Sequence, residues 1–482
     1  MDIREILKKG YLISPGLMNK TNLVETIFEK IPKGVTIIDE ELINKLLNSN
    51  ILSTTRADDL TDAEFPVGII KSYSGHMKKR DVDDFTAYFK NRYNSLSEIL
   101  KGRSELQNNI SIRRFIGRQD SEVSFIGIVV DKRLSKNGNI LITLEDTTGQ
   151  VIVIVGKNKQ ELFKRAQDVV FDEVIGVKGV NSGNFVFCND LFFPDIPISN
   201  EFKKCGDDIY AAFISDLHVG SKMFLPGPFK NFINWINGNL GNRESVEMAS
   251  KIKYLFVVGD LIDGVGIYPE QDHELEIMDV EKQYEECARY LGEIRKDITM
   301  VVCGGNHDAL RLSEPQPLLD KDYAKSLYEI KNIQMVTNPS FINIHKKNKF
   351  SGFNVLMYHG YSYDYYISNV ETIRLNGGYD RADLVMKFLL QKRHLAPSHS
   401  STLYIPDIKE DPLIIKDIPD FFVSGHLHKM SVGNYRNITT LCSSCWQGKT
   451  IFQERVGHHP EPGRVPLINL GTREIKVMKF CD

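Results

Sequence analysis

Long apolar runs are missing from this 482-residue chain. No stretch approaches the ~20 residues that a membrane-spanning helix needs, so no membrane role is expected. The opening residues, Met1-Asp-Ile-Arg-Glu-Ile-Leu-Lys-Lys, lack the apolar core of a secretory signal. Cysteine is scarce as well: seven, odd in number and scattered. That argues against a disulfide framework and for a reducing compartment, so a cytoplasmic location is the expectation. An excess of one charge sign is also lacking. Lys and Arg number 60 against 63 Asp and Glu, for a formal net charge of -3. Composition therefore neither demands nor excludes nucleic acid, because a basic patch can be local. Internal repeats and low-complexity tracts are absent. What is present is ordinary for globular protein, 42% hydrophobic and 26% charged. The length suggests about three domains.

Residues 1–50 carry Ile3, Ile6, Leu7, Leu23, Ile27, Phe28 and Ile31 at three- to four-residue spacing. This predicts a small helical N-terminal module. Residues 51–107 are mixed and charge-rich and read as a linker, helical from Asp84 to Leu100. Residues 108–200 change character. Five short β-branched runs begin at Val123, Ile140, Val151, Val174 and Asn184, with turns at Lys136-Asn-Gly and Asp146-Thr-Thr-Gly. A helical stretch from Lys159 to Asp168 follows the third run. That order is the order of an OB-fold barrel. Such barrels bind single strands through aromatics in basic grooves, but these runs are not unusually rich in Lys or Arg. Single-strand binding and simple packing both stay open.

Residues 209–482 read as one further domain, organised by five apolar runs that each end in donor side chains. Tyr254-Leu-Phe-Val-Val-Gly-Asp-Leu-Ile-Asp ends in Asp260 and Asp263. Ala211-Ala-Phe-Ile-Ser-Asp-Leu-His ends in Asp216 and His218. Met300-Val-Val-Cys-Gly-Gly-Asn-His-Asp ends in Asn306, His307 and Asp308. Val355-Leu-Met-Tyr-His ends in His359, and Phe421-Phe-Val-Ser-Gly-His-Leu-His ends in His426 and His428. Strand C-termini cluster at one edge of an open α/β sheet, where sites form. Seven carboxylate, imidazole and amide ligands without a thiolate exceed one ion's needs and suit two, of Mn²⁺, Fe²⁺ or Zn²⁺ type. A bridging carboxylate holds such ions about 3.5–4 Å apart, for phosphoester hydrolysis. Taken singly, each motif has an ordinary reading as a cap, a turn or a packed histidine. The other histidines read as surface or packing residues, and Cys442-Ser-Ser-Cys445 as incidental.

In order and residue type these motifs resemble the calcineurin-like metallophosphoesterase superfamily. The resemblance implies a first metal on Asp216, His218 and His428, a bridging Asp260, and a second metal on Asn306, His359 and His426. It implies His307 as general acid, with Asp263 orienting its ring. The whole layout resembles the small subunits of archaeal family D DNA polymerases. Further matches are Arg381-Ala-Asp, Arg393-His-Leu-Ala-Pro, Pro419-Asp-Phe-Phe, Cys445-Trp-Gln-Gly and Phe452-Gln-Glu-Arg. The implied fold is multidomain α/β: helical module, OB-fold β-barrel, and a phosphoesterase α/β sandwich over 209–482. The implied activity is two-metal 3′-to-5′ proofreading exonuclease on single-stranded or mismatched 3′ ends of DNA. Mn²⁺ is the expected ion, with Mg²⁺, Fe²⁺ and Zn²⁺ as alternatives. The implied partner is a large catalytic polymerase subunit, in a heterodimer or higher assembly. Competing readings are a scaffold subunit with a vestigial site and a stand-alone phosphatase or phosphodiesterase. His345-Lys-Lys-Asn-Lys349, and Lys392-Arg393, are candidate phosphate contacts, a solvated hairpin tip and helix surface being the other reading. The resemblance departs at Tyr365, where the family pairs a second acid with the residue matching Asp364.

Overall fold

The structure, a computed structural model of the chain, describes residues 66–481 apart from 74, 76–78, 118 and 348, and two short strands nearer the N-terminus. Those strands, β1 (Leu12–Ile13) and β2 (Ile37–Ile38), pair in parallel within the unit Met1–Glu64. The helices expected over residues 1–50 lie outside the described residues. Everything below concerns the unit Phe65–Asp482.

Runs of consecutive apolar residues need cover on both faces, and here they get it. Strands β9 (Tyr210–Ile214), β10 (Ile252–Val258) and β11 (Thr299–Cys303) pair in parallel, with Leu255 opposite both Ala212 and Met300. A short β12 (Ile333–Met335) extends one side, and the hairpin of β18 (Arg464–Asn469) and β19 (Ile475–Lys479) the other. A second sheet runs β16 (Ser431–Tyr435), β17 (Ile438–Cys442), β15 (Phe421–Ser424), β14 (Phe353–Met357), β13 (Ser340–Ile344) and β3 (Val67–Ser72). Successive strand residues point to opposite faces. Phe213, Tyr254, Phe256 and Val258 from the first sheet therefore meet Phe353, Val355, Met357 and Phe421 from the second in one buried core. The intervening Ala212, Leu255, Val257 and Met300 pack on outer helices, including Pro226–Ile236 and Val280–Gly292. Each large side chain so buried contributes roughly 1.5–3 kcal/mol. The result is an α/β sandwich whose motif-bearing strands stop at a shared edge.

Strands β4 (Gln119–Leu134), β5 (Ile140–Asp146), β6 (Gly149–Val155), β7 (Val174–Ser182) and β8 (Phe185–Phe192) close a barrel in the order β4-β5-β6-β8-β7. The pair β6 and β8 is parallel, and helix Gln160–Gln167 connects β6 to β7. This is the expected OB-type connectivity. Strict alternation of buried and half-buried residues along β5 shows why the run could be read as one face of a barrel.

Two expectations fail here for identifiable reasons. Val67–Ser72 is an edge strand of the second sheet, paired antiparallel with β13, rather than part of a linker. Only Val67 of that strand is buried, so it carries no strong pattern. Lys392 and Arg393 are both buried and engaged by protein partners rather than solvated. The Lys392 ammonium stands 2.7 Å from the Glu173 carboxylate of the barrel, and Arg393 donates to the Ile415 carbonyl at 2.7 Å. The basic run at Lys346 to Lys349 joins the C-terminus of β13 to the N-terminus of β14. It therefore lies at the sheet edge opposite the motif ends.

Helix Val82–Lys101 opens with a capping box in which Asp81 and Asp84 exchange backbone and side-chain bonds. It is tied down by Arg92, which is fully buried. Arg92 Nε donates to Asp411 Oδ2 at 2.7 Å, Tyr88 donates to Asp411 Oδ1 at 2.8 Å, and His394 Nε2–H donates to Asp411 Oδ2 at 2.8 Å. Burial pushes His394 down to about 4, against the Asp411 charge, so its ring is neutral. Asp411→Ala would leave a buried guanidinium without its counter-charge, at a cost of about 3–5 kcal/mol. Urea unfolding of the variant should show that loss; a change below about 1 kcal/mol would mean that the network is not a stabilising joint.

Candidate metal centre

The C-terminal ends of β9, β10 and β11 from one sheet, and of β14 and β15 from the other, converge. Hydrogen bonds hold the loops in register just past the strands. Asp216 N–H donates to the Gly259 carbonyl at 3.0 Å, His218 N–H to the Asp260 carbonyl at 3.1 Å, and Gly425 N–H to the His359 carbonyl at 2.9 Å. Five of the donor residues, Asp216, His218, Asp260, His426 and His428, have positive φ between 51° and 71°. Side chains other than glycine rarely adopt this conformation, and it clusters at functional sites. Glycines allow the close approach. At Gly259, with φ of 80°, a Cβ would stand 2.3 Å from His359 Nδ1; at Gly305 it would stand 2.2 Å from Asp260 Oδ1. The Gly-Asp and Gly-Asn pairs of the motifs thus have a steric cause.

Each ring has one nitrogen tied outward and one turned inward. His359 Nδ1–H donates to the Val258 carbonyl at 2.9 Å, which leaves Nε2 to face Asn306 Oδ1 at 3.0 Å and Asp260 Oδ2 at 3.2 Å. His218 Nδ1–H donates to Asp263 Oδ1 at 3.0 Å, which turns its Nε2 to His428 Nε2, 3.0 Å away. His426 Nε2–H donates to Asp364 Oδ2 at 2.9 Å, and its Nδ1 faces Asn306 Oδ1 at 3.0 Å. His428 Nδ1 lies 3.0 Å from the side chain of Gln453. Imidazole nitrogens turned on one another, on an amide oxygen and on buried carboxylates make a site that draws positive charge, a proton or a metal ion. Donors about 2.1 Å from one ion at right angles stand about 3.0 Å apart. The residues present therefore fit divalent cations.

At this centre donors gather this closely in two groups, Asp216, His218 and His428, and Asp260, His359 and His426, and a third, His218, Asp260 and His307, overlaps both. Asp260 Oδ2 lies between them, 3.2 Å from His359 Nε2 and 3.8 Å from His218 Nε2. The electrostatics agree. Burial opposes charge on Asp260, yet His359, His307 and His218 hold its carboxyl well below the usual range. Burial likewise opposes charge on His359, but Asp260 and Asp216 lift it to about 10. A pocket that binds a proton this tightly is built for positive charge.

All nine residues singled out in the sequence lie in this cluster, with one change of detail. Asp263 orients the His307 ring by its backbone carbonyl, which accepts from His307 Nδ1–H at 2.9 Å. Its carboxylate goes to His218 instead, and is braced by Gln271 at 3.1 Å and Gln447 at 2.9 Å. The reason is that Asp263 follows Asp260 on the same loop and faces the β9 motif. Five supporting residues were not assigned from sequence: Asp364 on His426, Gln447 and Gln271 on Asp263, Gln453 on His428, and Asn338, whose Oδ1 accepts from His359 N–H at 2.9 Å. Asp364, Gln447 and Gln453 stand in quoted motifs, which was a usable signal; Gln271 and Asn338 gave none. Cys442 and Cys445 are buried free thiols. His345 is buried and bonds Asp207 at 2.6 Å.

This fold and this cluster define a calcineurin-like phosphoesterase, and the family model of that description matches residues 209–430. The DNA polymerase II small subunit of Methanothermobacter thermautotrophicus is 40% identical over 400 residues, 83% of this chain and 80% of that protein. The subunit of the same name from Archaeoglobus fulgidus is 34% identical over 500 aligned positions, 99% of this chain and 98% of that protein. The chain belongs to the archaeal DNA polymerase II small subunit family.

Proposed function

We propose that this chain carries a two-metal 3′-to-5′ exonuclease that trims single-stranded or mismatched 3′ ends for a polymerase whose synthetic site is on a separate large subunit. The observation that carries this reading is the inward set of imidazole nitrogens around Asp216 and Asp260. Asp216, His218 and His428 would hold one ion, and Asn306, His359 and His426 the other, with Asp260 shared. Mn²⁺ is the expected ion; Mg²⁺, Fe²⁺ and Zn²⁺ suit oxygen and imidazole donors as well. Such ions supply neutralisation of phosphate charge and acidify water near neutral pH.

The protein's own groups do the rest. Asp364, Asp263 and the Val258 carbonyl fix the tautomers of three rings, so that the inward nitrogens stay unprotonated for the metal. The His307 Nδ1–H bond to the Asp263 carbonyl leaves Nε2 as the nitrogen that, in the imidazolium form, passes its proton to a leaving oxygen, and burial, which lowers His307, favours giving that proton up. The large subunit is inferred from the relatives' shared name. The barrel supports a protein partner: Phe185 and Phe187, 42% and 50% exposed, stand beside Ile152 and Ile154 in adjacent registers. An outward apolar row of this kind suits protein better than a phosphate backbone.

The test uses single-stranded DNA labelled at its 5′ end, with Mn²⁺. Stepwise shortening from the 3′ end, abolished by EDTA, is the expected result. Turnover of a phosphorylated peptide with the DNA left intact would replace this reading by a protein phosphatase.

A further inference from the structure

Beside His307 lies a pair of rings that the chemistry above does not use. Tyr268 and Phe452 are stacked, with centroids 5.0 Å apart and planes 25° apart. The Tyr268 ring is 6.3 Å from that of His307. Phe452 is 41% exposed, and Val265, Ile267 and Ile451 near them in sequence are exposed too. The two rings come from distant segments, the loop after β10 and helix Ile451–Val456. Glu274 joins those segments. One of its carboxylate oxygens accepts from the Tyr268 hydroxyl at 3.0 Å, the other from Ile451 N–H at 2.8 Å. Arg455 and Glu270 add an ion pair at 3.1 Å across the same seam. A ring pair held from both sides, with Phe452 exposed over a half-buried Tyr268, is a preformed stacking surface, and stacking on aromatics is how proteins hold unpaired bases of any sequence.

Its place beside His307 says which base. In the hydrolysis, a water oxygen bonds to phosphorus and the water gives its proton to solvent. The bond from phosphorus to the upstream sugar oxygen breaks, and that oxygen takes the Nε2 proton of the His307 imidazolium, which solvent then restores. The nucleotide bearing the leaving oxygen therefore lies on the His307 side. We infer that Tyr268 and Phe452 form a ledge that stacks the penultimate base of the 3′ end, the base that becomes terminal after each cut. This rests on the exonuclease reading and names the part of the substrate that the site grips. It also gives the reaction a direction along the strand. A protein segment on the same rings is the other possible occupant, and the test separates the two.

The full-length chain is purified with the polymerase subunit that it assembles with and loaded with Mn²⁺. Two oligonucleotides are compared, identical except that one carries an abasic sugar at the penultimate position. The wild type is expected to show a KM about 10-fold or more higher on the abasic strand, the size of one lost stacking contact. Phe452→Ala is expected to raise KM by a similar factor on the intact strand and to add little on the abasic one. Phe452→Trp should restore the difference, and Phe452→Leu should not, although both keep the position apolar. Equal wild-type KM on the two strands, with both cleaved, overturns the ledge and leaves the exonuclease standing. So does an equal penalty of Phe452→Ala on both strands, the result that a protein occupant would give. Failure to cleave either strand overturns the exonuclease reading and the ledge together.

Discussion

Asp260→Asn is expected to abolish cleavage. The carboxylate is fully buried, and its Oδ2 lies between His359 Nε2 at 3.2 Å and His218 Nε2 at 3.8 Å. Its Oδ1 accepts from His307 N–H at 2.8 Å. An amide at this position would keep its oxygen on that N–H. Its NH₂ would then point at the two imidazole nitrogens, supplying hydrogens where cations belong. The shared negative charge is lost as well. Metal stabilisation of a phosphoryl transition state is worth several kcal/mol, which at about 1.4 kcal/mol per tenfold is at least ~10³ in rate. Metal content should fall with it. The measurements are exonuclease rate and bound metal per chain, with thermal melting as the check on folding. A variant that folds, binds two ions and digests DNA at the wild-type rate would remove Asp260 from the centre.

His307→Ala should separate proton transfer from metal binding. His307 is half-buried, and its ring is held edge-on to His218 at 4.6 Å, but its Nδ1 is committed to the Asp263 carbonyl. It is not among the residues with an inward nitrogen shared with Asn306 or His428. Removing it should lower kcat by roughly 10²–10⁴, the range for a positioned acid, while metal content stays unchanged. A substrate whose leaving group is a good one, such as a nitrophenyl ester, needs no protonation and should recover most of the loss. Equal losses on DNA and on that ester would assign His307 to phosphate binding instead.

The contrast between these two residues shows how far the sequence could be read. Asp260 follows a run of apolar β-branched residues and a glycine, so its place at a strand end was legible, and so were those of Asp216, Asn306, His359 and His426. The barrel strands were legible as short β-branched runs separated by turn residues, and the alternating burial along Ile140–Asp146 agrees. The edge strand Val67–Ser72 was not, because one buried residue makes no pattern. Lys392 and Arg393 looked like surface cations. Their partners, Glu173 on the barrel and the carbonyl of Ile415, come from elsewhere in the chain.

The local sequence by itself determined which residues end strands and which donors they deliver, since alternation, glycine and turn chemistry act over a few neighbours. Only the packing of two sheets decided which nitrogen of each ring turns inward, and that Asp263 serves His218 by its carboxylate and His307 by its carbonyl. Those choices depend on acceptors such as the Val258 carbonyl and Asp364, brought within 3 Å by segments distant in the chain. Hydrogen bonds act only at that range, so no reading of neighbours along the sequence contains them.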